Sequence, residues 1–96
     1  MYKDLDPLLH SQLRLAIISQ LMTGVDVDFN QIKDSTNATS GNISVQIKKL
    51  QDAGYIEVVK SFKNNYQNTS LTITSKGIKA FENYVESLKH YIITDK

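Results

Sequence analysis

No cysteine occurs among the 96 residues. That excludes a disulfide framework and thiolate metal sites, and it fits a reducing cytosol. No apolar run approaches the length needed to cross a bilayer. The opening segment, MYKDLDPLLH, carries two early aspartates and lacks the basic-then-apolar layout of a signal peptide. Arginine occurs once, as Arg14, and proline once, as Pro7. There is no glycine-rich phosphate loop and no glycine-flanked serine elbow. His10 and His90 have no His-x-x-x-His spacing and no neighbouring carboxylate pair at ligand spacing. Catalysis, a metal and a cofactor therefore have no positive support, and the chain is expected to be a non-enzyme of the cytoplasm.

What is present is an ordinary globular composition, 41% hydrophobic and 22% charged, of a length suited to a single domain over 1–96. The net charge of +1 hides an asymmetry. Residues 1–38 hold three cations against five aspartates, whereas residues 39–76 hold five lysines against Asp52 and Glu57, and residues 77–96 balance. The positive middle third points weakly to an anionic partner, although a segment of this charge is more often a solvated surface.

Hydrophobic periodicity divides the chain into elements. Asp6 as N-cap and Pro7 at the first helical position predict a helix over 7–23, with Leu9, Leu13, Ala16, Ile17 and Leu21 at helical spacing and Gly24 after it. Val25 to Val27 is a short β-prone stretch. Asp28 can cap a short helix with Phe29 and Ile32 inward. Turn chemistry at Asn37 to Asn42 precedes a third helix, 39–53, capped by Thr39 or Ser40. Its inward stripe is Ile43, Ile47, Leu50 and Ala53, and Gly54 stops it. Tyr55–Phe62 and Thr69–Thr74 alternate as strands, with Ile56, Val58 and Phe62 on one face and Leu71 and Ile73 inward. The polar stretch 63–68 is expected to be the loop between them. A last helix over 75–93 presents Ile78, Phe81, Val85, Leu88 and Ile92, with Tyr84 and Tyr91 alongside. Two helices joined by a short turn and followed by a hairpin make a winged helix-turn-helix of the α+β class.

LDPLLHSQLRLAIIS, FNQIKDSTNATSGNISVQIKKLQDAGYIEVVKSF and LTITSKGIKAFENY resemble the small bacterial winged-helix transcriptional regulators of MarR and ArsR type, and most of all the short winged helix DNA-binding domain group. The resemblance covers roughly residues 5–92. It implies binding to double-stranded DNA and a homodimer. Relatives often carry arginines or several lysines in the wing, and here the wing, KNNYQN, has one lysine and no arginine.

The third helix supplies the candidate reading face. With Ile43 inward, Gly41, Asn42, Ser44, Val45, Lys48 and Lys49 cover the far side, and Val45 lies near its middle. An outward valine can meet a thymine methyl, and Asn42 can pair with adenine. Thr39, Ser40 and Gly41 place the helix N-terminus against a phosphate. Lys48 and Lys49 neutralise phosphates without reading sequence. In the wing, Lys63, Asn64, Asn65 and Gln67 are expected at the backbone or minor groove, though asparagines there also serve turn geometry. An isolated exposed valine is common in its own right. The terminal helices carry more apolar surface than one small domain needs, and Leu9, Leu13, Phe81, Tyr84, Val85, Leu88, Tyr91 and Ile92 are the candidate dimer contacts. The leading expectation is a sequence-specific regulator, a repressor, acting as a homodimer on DNA. The rival is a winged helix used as a protein-interaction module. No residue argues for a small-molecule effector.

Overall fold

Ser11 decides where the first helix begins. The computed structural model describes residues 2–92, and for Lys63 its backbone alone. Asp6 does start a turn: its carboxylate accepts from the Leu8 amide at 2.9 Å, and its carbonyl from Leu9 and His10. The turn ends there, because Ser11 is extended (φ −151°, ψ 128°) and its hydroxyl caps the Arg14 amide. The helix expected over 7–23 is therefore one turn at Pro7–Leu9 followed by α1, Gln12–Leu21. A second good capping residue inside the apolar stripe offers the amides a partner and lets the chain leave helical geometry.

The short strand falls later than the stretch Val25 to Val27 suggests. It is β1, Val27–Asp28, and Val25 is exposed. Helix α2, Phe29–Thr36, starts with a capping box: Asp28 Oδ1 accepts from the Gln31 amide at 2.8 Å, and Gln31 Oε1 from the Asp28 amide at 2.9 Å. It ends at Asn37, in the left-handed region at φ 58°. Thr39 caps α3, Ser40–Asp52, whose buried residues are Ile43, Ile47 and Leu50.

After Gly54 come β2, Ile56–Lys63, and β3, Tyr66–Ile73. They pair antiparallel from Ile56↔Ile73 out to Lys63↔Tyr66. The expected loop over 63–68 is thus mostly ladder. Only Asn64 and Asn65 turn, both left-handed (φ 51° and 67°), the pattern of a two-residue hairpin turn that asparagine tolerates. β1 joins the other edge of β3, giving the order β1-β3-β2. Val58 and Leu71 sit on the packed face, but Phe62, expected inward with them, is 77% exposed. The hairpin has by then run beyond the helices that cover its root.

Thr74 caps α4, Ser75–Leu88, accepting from the Gly77 amide at 3.0 Å. A 3-10 turn at Lys89–Tyr91 follows. Gly77 and Tyr84 are the buried residues of α4, with Ala80, Phe81 and Leu88 packed on the core, while Ile78, Val85 and Ile92 are exposed. The helix is rotated from the orientation its apolar stripe suggests because Gly77 packs directly on the Tyr55 carbonyl, where a side chain would overlap it. Leu9 and Tyr84, expected at a dimer surface, belong to the core of the single chain, together with Ile17, Ile18, Leu21, Ile32, Ile43 and Leu50. Residue 93, the end of the expected last helix, lies outside the described residues. No helix among the described residues is long and apolar enough to cross a membrane.

The segment before α1 is strapped along α4. Tyr2 stacks on Tyr91 with ring centroids 4.8 Å apart, and the Tyr91 hydroxyl donates to the Lys3 carbonyl at 2.6 Å. His10 Nδ1 lies 3.0 Å from the Tyr84 hydroxyl, and Tyr55 donates to Asp6 at 2.5 Å.

Candidate nucleic-acid interface

α3 owes its position to its buried stripe, so its opposite face is presented outward by default. Val45 is 51% exposed there, and Gly41, Ser44, Lys48 and Lys49 are exposed around it. One residue that sequence reasoning left out shares this face. Asp52 pairs with Lys48 at 2.7 Å, both side chains largely in solvent. The charge of Lys48 is therefore partly answered within the helix, and only Lys49 is a cation on this face with no acid paired to it in the described structure.

The start of α3 is split between two jobs. The Thr39 hydroxyl is held by the Asn42 amide at 3.2 Å, while the Ser40 side chain is exposed. At Gly41 an added Cβ would meet nothing within 4 Å, so the chain's own packing does not require glycine there. Asn42 is exposed and already engaged within the helix. Its side-chain carbonyl accepts from Gln46 at 2.9 Å, and it lines the hollow between α1, α2 and α3 with Leu13, Ala16 and Thr36. Gln46 in turn accepts from the Arg14 guanidinium at 2.5 Å, and Arg14 also donates to the Leu8 carbonyl at 2.5 Å. The single arginine is thus an internal strut from the first turn to α3. Asn42 and Gln46 lie on the flank of α3 that faces it.

On its other flank α3 meets the hairpin. A groove of about 230 Å³ runs between them, walled by Ser44, Lys48 and Gln51 of α3 and by Val58, Lys60 and Thr69 of the hairpin. Lys60 pairs with Thr69, and Phe62 with Gln67, on the same sheet face two residues apart. Lys60 was missed by sequence reasoning, which placed the contacts in 63–68. Strand parity carried the signal: Lys60 shares a face with Val58 and Phe62. Asn64 and Asn65 form the exposed tip, Gln67 is exposed on the groove side, and the side chain of Lys63 lies outside the described residues. The two walls together offer a phosphate chain lysines on both sides and hydroxyl or amide donors between them.

Tyr55 lies away from this face. Burial, then the hydrogen bond to Asp6 and its charge, push Tyr55 from 10.0 up to about 12. That pair ties the first segment to the end of α3 and takes no part in the outward face. Among the described residues no group of acidic, histidine or cysteine side chains is arranged to hold a metal ion.

Comparisons with known proteins agree with this geometry. The family model described as the winged helix DNA-binding domain matches residues 13–92. An uncharacterized protein of Methanocaldococcus jannaschii is 36% identical over 76 residues, which cover 79% of this chain and 83% of that protein. The structure of a transcriptional regulator homologue from Pyrococcus horikoshii superposes with a TM-score of 0.80 at 26% identity, covering 88% of this chain and 83% of that one. Bacillus subtilis PadR, solved in complex with operator DNA, shares the fold at a TM-score of 0.73 and 19% identity, over 90% of this chain and 53% of that one. The chain belongs to the winged helix DNA-binding domain family, and its neighbours among solved structures are transcriptional regulators of the MarR and PadR type.

Proposed function

We propose that this domain is a sequence-specific transcriptional regulator, a repressor, that binds a pseudo-palindromic operator as a homodimer. The observation that carries the reading is Val45, half-exposed on the outer face of α3 with Lys48 and Lys49 beside it. In a helix-turn-helix this face enters the major groove, where an apolar side chain can read a thymine methyl. Ser44 and Val45 are the base readers. Lys48, Lys49 and Lys60 hold phosphates, with Ser40 and Gly41 at the backbone. The hairpin tip at Asn64 and Asn65 reaches the flanking groove. PadR, a relative in fold, is known bound to operator DNA.

The test is a salt titration of binding. Replacing Lys48 and Lys49 together by alanine is expected to weaken binding to every duplex alike and to flatten the salt slope by about 2 per protomer. Val45→Ala is expected to keep the slope and change the preferred sequence, at a loss of about 1 kcal/mol on the best site. Equal effects of both changes on specific and random duplexes would contradict direct readout by α3.

A second reading has its own support. Lys48 is paired with Asp52, and the only arginine is spent internally on Leu8 and Gln46. A weakly cationic α3 also suits a protein-interaction module. That reading predicts no salt-dependent binding to duplex DNA and a Val45 that is needed for capture of a protein partner.

A further inference from the structure

We infer that Phe62 is an apolar wedge that enters the minor groove beside the operator and bends the duplex, an inference that rests on the DNA-binding reading above. Phe62 is 77% exposed on the sheet face whose last packed residue is Val58. Four residues of strand place the ring about 13 Å further out than Val58. The ring is held on a regular ladder, paired with Gln67 and one rung from a tight two-residue turn. The aromatic rings that find partners do so elsewhere, Tyr2 on Tyr91 and His10 against Tyr84.

The occupant of this face has to satisfy two chemistries in a fixed order. Next to the body it meets Lys60, with Lys48 across the groove, and this part suits an anionic chain. Two residues further out along the strand it meets an exposed phenyl ring flanked by Gln67. A duplex has that order, with phosphates at the rim and flat apolar base faces behind them. The phenyl surface is thus continuous with the cationic groove rather than a separate patch. A ribbon of two strands does not fit a minor groove only about 6 Å wide. Side chains such as phenylalanine open such grooves by partly unstacking one base step, which kinks the duplex away from the protein. With no arginine in the hairpin, readout by groove narrowness gives way to readout by deformability. The flank is expected to favour pyrimidine–purine steps, which unstack most easily.

The experiment uses end-labelled duplexes that the protein itself selects from a random-sequence library, with the bend read by energy transfer between the ends. The wild type is expected to shorten the end-to-end distance. Phe62→Ala should bind about tenfold more weakly, leave the duplex straight and lose the preference for TA or CA steps in the flank. Phe62→Leu should keep both the bend and the preference. Thermal unfolding of both variants is expected to match the wild type, because the ring is 77% exposed and outside the core. Binding without a bend, or a Phe62→Ala variant that bends DNA as well as the wild type, overturns the wedge and leaves the regulator reading standing. Failure to select or retain any duplex overturns both.

Discussion

Gly41 and Gly77 are both in first turns of helices and have opposite surroundings. Space is open at Gly41, whereas at Gly77 a Cβ would overlap the Tyr55 carbonyl and crowd Ile73. Gly77→Ala is expected to destabilise the fold by about 1–3 kcal/mol through overpacking, read by urea unfolding. Gly41→Ala should leave stability unchanged or raise it by up to about 1 kcal/mol. If α3 approaches a phosphate through this turn, the same change weakens DNA binding, and a stable variant with unaltered affinity would remove Gly41 from the interface. Tyr55 supplies a pH test. Its folded pKa, about 12, lies above the ordinary 10.0, so the folded state holds the phenolic proton more tightly. The stabilisation is complete below pH 10 and is lost as pH rises through about 12. Unfolding free energies of wild type and Tyr55→Phe, measured across that window, should converge as pH rises, and a constant difference would contradict the pairing with Asp6.

At the level of elements, α3 and its cap were legible because three signals agree: Thr39 in front, an unbroken apolar stripe and Gly54 behind. Two misreadings have physical causes. Gly77 has no side chain, so the stripe of α4 cannot register the residue that sets its rotation, and the buried face runs through Gly77, Phe81, Tyr84 and Leu88 rather than through Ile78 and Val85. The hairpin looked like a six-residue loop because polar residues fill its outer rungs, and polarity there reflects solvent on both faces rather than the absence of a ladder. Lys60 falls within the expected strand Tyr55–Phe62, outside the stretch assigned to DNA contact. The ion pair on α3 was also readable, since Lys48 and Asp52 stand four apart on a helix. It leads to a prediction about the element. Asp52→Asn removes the only acid on the outward face, so it should tighten binding to all duplexes several-fold at low salt, with the gain shrinking as salt rises. Unchanged or weaker binding by gel shift would argue that this face does not meet a polyanion.

For the whole molecule, the question is what lies against the terminal helices. Leu15 and Ala16 of α1 and Phe81, Val85 and Leu88 of α4 wall a shallow apolar groove, Ile78 adds exposed apolar surface on α4, and Ile92 adds more just beyond the 3-10 turn that follows it. Leu9 and Tyr84 belong to the core, Leu13 lines the hollow between α1, α2 and α3, and Tyr91 is partly covered by Tyr2, so a dimer would rest on Phe81, Val85, Leu88 and Ile92. Val85→Glu is expected to halve the solution mass measured by sedimentation while leaving the helical circular dichroism intact. Two-fold symmetry that sets the two α3 helices about 34 Å apart would then match one turn of DNA. It would also double the phosphate contacts of a modestly charged surface.

The central claim is that two copies of this domain read one operator. The most direct measurement is selection of bound sequences from a random duplex library by the purified protein, with the recovered pool sequenced. The expected pool carries a pseudo-palindrome whose half-sites are centred about 10 base pairs apart. A pool that stays random at low salt would contradict it and leave α3 as a surface for a protein partner.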